Sequence, residues 1–102
     1  VLNAKEGDTK LSLKQLTPVR LIKYDFFQRV EEAENRGASV EELTELLGRG
    51  RAKKGMFEGD LIEGELEIGQ VSGSISELKP AAEIIDEMIK DCELTIKKLS
   101  LL

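Results

Sequence analysis

Histidine is missing altogether from these 102 residues. Its absence removes the commonest metal ligand and the commonest proton-transfer group near neutral pH, so self-contained catalysis would have to rest on carboxylates, lysines or the lone Tyr24. No metal site is expected. The single cysteine, Cys92, can form neither an internal disulfide nor a thiolate cluster, and it reads as a small core residue. No apolar run approaches the roughly 20 residues of a membrane-spanning helix, and the opening VLNAKEGDTK is too polar for a signal sequence, so a soluble cytoplasmic chain is expected. Positive charge is also short: 15 basic against 20 acidic residues give a net charge of -5, which disfavours nucleic acid or an anionic membrane as partner. No fixed-period repeat or low-complexity tract is visible, which excludes a solenoid.

What is present suffices for one hydrophobic core and not for two, since 40% of the residues are apolar. Residues 1–16 are irregular, a short strand or a loop around the Gly7-Asp8 turn. Residues 17–48 read as two helices. Thr17-Pro18 is a start signal, Val19, Ile22, Phe26, Val30 and Ala33 lie three or four apart on one face, and Gly37 is the stop. Ser39 and Glu42 then form a capping box, followed by Val40, Leu43, Leu46 and Leu47, with Gly48 closing the element. Residues 49–64 are a glycine-rich loop with room for one or two turns around Ala52 to Phe57. Residues 65–102 hold two more helices. The first, over Leu66 to Ile75, competes with a strand reading at Leu66 and Ile68, whereas the second, opened by Lys79-Pro80, carries Ile84, Ile85, Met88, Ile89, Cys92, Ile96 and Leu99 as a sustained apolar face. The expectation is a mainly α segment of about four helices. Its last helix should dock by the isoleucine stripe, so that aspartate at Ile85 or Met88 would cost several kcal/mol if the stripe is buried.

Chemistry could sit in three places. If Gly69 and Gly73 lie in a helix, they share one face and leave it bare, either for close packing of a neighbour or as a wall for a flat ligand, with the Gln70 amide beside it. The basic cluster Arg49, Arg51, Lys53 and Lys54 could hold a phosphate, but it lacks the Walker ending and is better read as a solvated loop. The acidic stretch Glu58, Asp60, Glu63, Glu65 and Glu67 fails the calcium-loop template and reads as surface charge. Met56 and Phe57, an apolar pair among glycines, suit a lid or an anchor onto another domain.

The run GRAKKGMFEGDLIEGELEIGQVSGSISELKPAAEII and the upstream AKEGDTKLSLKQLTPVRLIKYDFF resemble the C-terminal region of the flavin-dependent family containing nitronate monooxygenases and enoyl-acyl-carrier-protein reductases. Pro18-Val19-Arg20, Gly59-Asp60 and Gly69-Gln70 in that order carry the likeness over nearly the whole chain. The resemblance implies a fragment of a (β/α) barrel holding FMN at the C-terminal ends of its strands, with NAD(P)H as hydride donor in the reductases and oxygen used in the monooxygenases. It implies that Glu67, Gly69, Gln70 and Gly73 form a wall near the flavin and substrate pocket, with Met56 and Phe57 in a cover loop. The family's catalytic histidine would lie upstream, so no catalytic residue is expected within this chain, whose start at Val1 without methionine fits an excised piece. The implied partners are the rest of the barrel or a companion chain, a nitronate or acyl thioester substrate, and a second copy of the protein. Glu67 places a charge where the reductases often carry an apolar residue, which leaves the substrate open. The alternative is a free-standing helical module that binds a protein partner through its apolar faces.

Overall fold

The computed structural model describes residues 1–102. It opens on a hairpin: β1 (Thr9–Ser12) pairs antiparallel with β2 (Val19–Ile22), Thr9 opposite Ile22 and Ser12 opposite Val19. Here the structure corrects the single helix read from Pro18 onward. Val19 and Ile22 belong to the strand, and the helix, α1 (Asp25–Asn35), starts only at Asp25. Spacings of three and four are also met by a short strand running straight into a helix, and the branched residues of VRLI favour extended backbone once neighbours are available to pair with. Neighbours are available on both sides. Besides β1, the Ile22 N–H donates to the Leu66 carbonyl at 3.0 Å and the Ile68 N–H donates to the Arg20 carbonyl at 3.0 Å.

The helical punctuation farther on is as the residues dictate. Gly37, at φ +80, follows the end of α1. Helix α2 (Val40–Leu47) begins with the Ser39 hydroxyl accepting from the Glu42 N–H at 3.2 Å and ends at Gly48, φ +63. A six-residue helix, α3 (Arg51–Met56), occupies the place left for a turn or two in the glycine-rich stretch. Leu13, Leu21, Phe26, Phe27, Val30, Ala33, Ala38 and Leu43 form the core. Each large side chain there stabilises the fold by about 1.5–3 kcal/mol relative to exposure. The hairpin and the first two helices therefore make one packed unit, and β2 supplies its only central strand.

The last helix, α4 (Ala81–Ser100), matches its sequence pattern in extent but not in environment, because none of its residues is buried. Ile85, Met88, Ile89, Ile96 and Leu99 are exposed, and so is Cys92, which is therefore not the core residue its type favours. At the helix entrance Lys79 meets Glu87 at 2.7 Å and Glu77 at 3.0 Å, and these two carboxylates push its pKa above the ordinary lysine value. The projecting helix stretches the molecule to 55 × 31 × 20 Å, with a radius of gyration of 17.6 Å. A compact chain of this length would measure about 13 Å. No helix is long and apolar enough to cross a membrane.

This exposure gives a sharp expectation. In the chain alone, Ile85→Asp should move the urea unfolding free energy by less than about 0.5 kcal/mol, because an exposed site loses no burial. Once the stripe is covered by another body, the same change should cost several kcal/mol, because it drives a charge into an apolar contact.

Candidate functional site

The segment expected as a helix with a bare glycine face is instead an extended stretch followed by one short turn. Leu66 to Ile68 run beside β2, with Leu21 and Glu67 forming an isolated antiparallel bridge. Gly69 is extended at φ -82 and ψ 166, and only Gln70–Ser74 coil, as a 3-10 turn. The alternation Leu66, Ile68 is the signal that decides, since β2 offers unpaired backbone groups on that edge. Gly69 and Gly73 therefore share no helical face. A side chain at Gly69 would meet nothing within 4 Å, whereas one at Gly73 would lie 3.0 Å from the Glu6 nitrogen and 3.1 Å from the Lys5 carbonyl carbon. Gly73 is small because the lead-in residues of the same chain lie against it.

The named residues divide between two cavities on either side of this segment. An apolar groove of about 230 Å³ is lined by Tyr24, Met56, Leu61, Leu66, Glu67 and Ile68. A polar cavity of about 610 Å³ lies on the other side, lined by Lys5, Thr9, Arg20, Gln70, Gly73 and Ser74 among others. Gly69 sits between them at an exposed position, and Phe57 stands 86% exposed beyond Met56. Glu67 and Met56 are thus brought together, Gln70 and Gly73 are brought together, and the two pairs are separate.

Two residues that pattern reading placed on the surface do structural work inside. Arg51 leaves the solvated basic cluster: its Nε donates to the Leu47 carbonyl at 3.0 Å, Nη2 to the Leu46 carbonyl at 2.9 Å, and Nη1 to both the carbonyl and the carboxylate of Glu63 at 2.9 Å. Its guanidinium also lies 4.6 Å from the centre of the Phe26 ring, a cation–π contact. Glu63, the shared partner of Arg29 and Arg51, has its pKa lowered by these hydrogen bonds, Arg29 first. Asp60 is likewise held low by the N–H groups of Glu63 and Ile62, which donate to its Oδ1 at 2.9 and 3.0 Å.

Glu65, which the pattern places on the surface, is instead buried beside Glu67. Only 5% exposed, it is fixed by its N–H donating to the Arg51 carbonyl at 2.9 Å, and Gly55 faces its backbone. Burial pushes its carboxyl up to about 7, the neighbouring Glu67 carboxyl adds to the rise, and Arg51 opposes it. Because the folded pKa lies above the unfolded one, the protonated form favours the fold. That stability is complete at acid pH below the unfolded value and is lost as pH rises toward about 7. Glu65→Gln should therefore stabilise the chain at pH above 7, by about 1–2 kcal/mol, and should change little near pH 4. Paired denaturant titrations at the two pH values measure it.

No protein-family model matches the sequence, and no curated protein matches it. Solved structures do match it, among them two of FabK. FabK from Thermotoga maritima is 30% identical and superposes with a TM-score of 0.82, over 97% of this chain and 31% of that one. A methionine-to-alanine mutant of the same FabK is 26% identical with a TM-score of 0.72, over 97% of this chain and 28% of the other. The chain thus spans less than a third of the length of the proteins it matches. Its four helices and two-stranded sheet reproduce a fragment of the FabK barrel fold. Over nearly all of its length, then, the chain is similar in sequence and fold to a segment of FabK from Thermotoga maritima.

Proposed function

We propose that this chain is the C-terminal part of an FMN-dependent oxidoreductase, and that it supplies a wall and cover to a pocket whose catalytic groups lie in the rest of a (β/α) barrel. The observation that carries the reading is the 97% coverage by a FabK segment at 30% identity. The exposed stripe of α4 supports it, since an apolar face of that length on a free chain is a contact surface awaiting its other half. The remainder of the barrel is that half, and a homo-oligomer is a further possible assembly. We place the protein in the cytoplasm.

The wall consists of Glu67, Gly69 and Gln70. Glu67 closes the polar end of the apolar groove, Gly69 offers open backbone, and the Gln70 amide can donate and accept. Gly73 fixes this wall by letting the lead-in residues pack close behind it. Met56 and the protruding Phe57 form the cover, excluding water once pressed against the barrel. These residues fit FMN as one side of its pocket and no more, because a groove of about 230 Å³ falls short of the roughly 300–1,000 Å³ of a small-molecule site. When bound, FMN supplies two-electron exchange, passing hydride from NAD(P)H to an enoyl thioester in a reductase or reacting with oxygen against a nitronate in a monooxygenase.

The experiment is to produce the chain joined to, or together with, the remaining barrel. Yellow protein that oxidises NADH with an enoyl thioester supports the reductase, and oxygen uptake with a nitronate supports the monooxygenase. A colourless product inert in both assays overturns the proposal.

A further inference from the structure

The polar cavity of about 610 Å³ shares Gln70 and Gly73 with that wall but lies on the opposite side of the segment from the apolar groove, and its volume is that of a small-molecule site. Two cations line it, Lys5 from the lead-in and Arg20 from β2. Neither has a carboxylate within ion-pairing reach. Arg20 is half-buried, and its Nη1 donates to the Thr9 hydroxyl at 3.2 Å, which fixes the guanidinium over the strand pair. Gln70 and Ser74 bring an amide and a hydroxyl from the 3-10 turn to the same space, and Glu6 is the one carboxylate among the lining residues. The balance of the lining is one positive charge in a chain whose total is -5. With a single apolar lining residue, Val71, the cavity is unsuited to an acyl chain.

We propose that this cavity binds the phosphate group of a phosphorylated small molecule, with Arg20 and Lys5 as its charged contacts and Gln70 and Ser74 as its neutral donors. A planar guanidinium already oriented by Thr9 matches two phosphate oxygens at once, and the ammonium of Lys5 adds a mobile point charge. The inference concerns this chain's own residues and holds or fails independently of flavin. A nucleotide and a phosphopantetheine carry the same group, so either could bring it.

The test is titration of the full 102-residue chain with inorganic pyrophosphate, followed by amide chemical shifts. Saturable shifts are expected around Lys5, Thr9, Arg20, Gln70 and Ser74, weakening with added salt because the site is open to screening. Arg20→Gln should weaken binding by about tenfold, and Lys5→Gln by a smaller factor, since each removes one charge-assisted contact. Glu6→Gln should tighten it by removing the opposing carboxylate, and this exposed position carries no risk to folding. Tighter binding of adenosine diphosphate than of pyrophosphate identifies a nucleotide source, and tighter binding of phosphopantetheine identifies the carrier. Absence of saturation, or equal affinity in the parent, Arg20→Gln and Glu6→Gln chains with matching circular dichroism, overturns the proposal.

Discussion

Gly64→Ala should cost about 3 kcal/mol or more, a large fraction of the stability of a domain this size. An added methyl at Gly64 would overlap the Asp60 carbonyl and the backbone of Gly55, and one at Gly55 would overlap the Glu65 carbonyl. These obstacles are main chain, so no side chain can rotate away. Each glycine lets α3 lie directly on the strand-like segment carrying Glu65, which ties the glycine-rich stretch to the core through the Arg51 carbonyl. The control is Gly69→Ala, at φ -82 with open space around it, which should be nearly neutral. Thermal melts followed by circular dichroism separate the two outcomes. Equal melting points for Gly64→Ala and Gly69→Ala would mean that the close approach of residues 55 and 64 is not real.

Arg51→Met should have the second largest effect, a loss of about 2–3 kcal/mol. Methionine keeps much of the volume but none of the donors. It would strand the Leu46 and Leu47 carbonyls at the C-terminal end of α2, leave Glu63 with Arg29 alone, and remove the cation–π contact with Phe26. Arg51→Lys should recover little, because one ammonium cannot reach four acceptors in different directions. Exposed Arg49→Met provides the comparison and should fall within about 0.5 kcal/mol of the parent in urea unfolding.

These two expectations also mark where the sequence could and could not be read. Local chemistry was legible: the Ser39 hydroxyl caps α2 by accepting from the Glu42 N–H, although the Glu42 carboxylate turns to Arg36 instead of completing the box, Gly37 and Gly48 follow helix ends at positive φ, and the stripe from Ile84 to Leu99 lies on one helix. Long-range pairing was not. Val19 and Ile22 have helical spacing to Phe26, and only the presence of β1 on one edge and Leu66 to Ile68 on the other makes VRLI a strand. The same pairing draws out Leu66 to Ile68 and breaks the helix that would have set Gly69 above Gly73. Leu13 shows the limit from another side. It turns the chain at φ +55 with its N–H held by Glu34 Oε1 at 3.1 Å, a left-handed leucine that no local rule selects.

The candidate site was legible in the same partial way. The family resemblance pointed to residues 67–73, and the structure finds cavities on both sides of that segment, but Glu67 lines one, Gln70 and Gly73 line the other, and Gly69 lines neither. Glu65 was hidden because a glutamate beside four other acids looks solvated, and its backbone lies close against Gly55, earlier in the chain. Lys5 and Arg20 line one cavity, a proximity that their separation in the sequence conceals. Conversely, Cys92 and the isoleucines of α4 look like core and lie exposed, because no other element of the chain buries them.

The most direct test of the central claim is to place Ile85→Asp in the protein reassembled with its flavin barrel and to measure flavin retention during unfolding, beside the same substitution in the chain alone. The account predicts a chain indifferent to the aspartate and an assembled protein that loses flavin at markedly lower denaturant. An assembled protein that keeps its flavin and its stability unchanged, or one that never holds flavin, would contradict it.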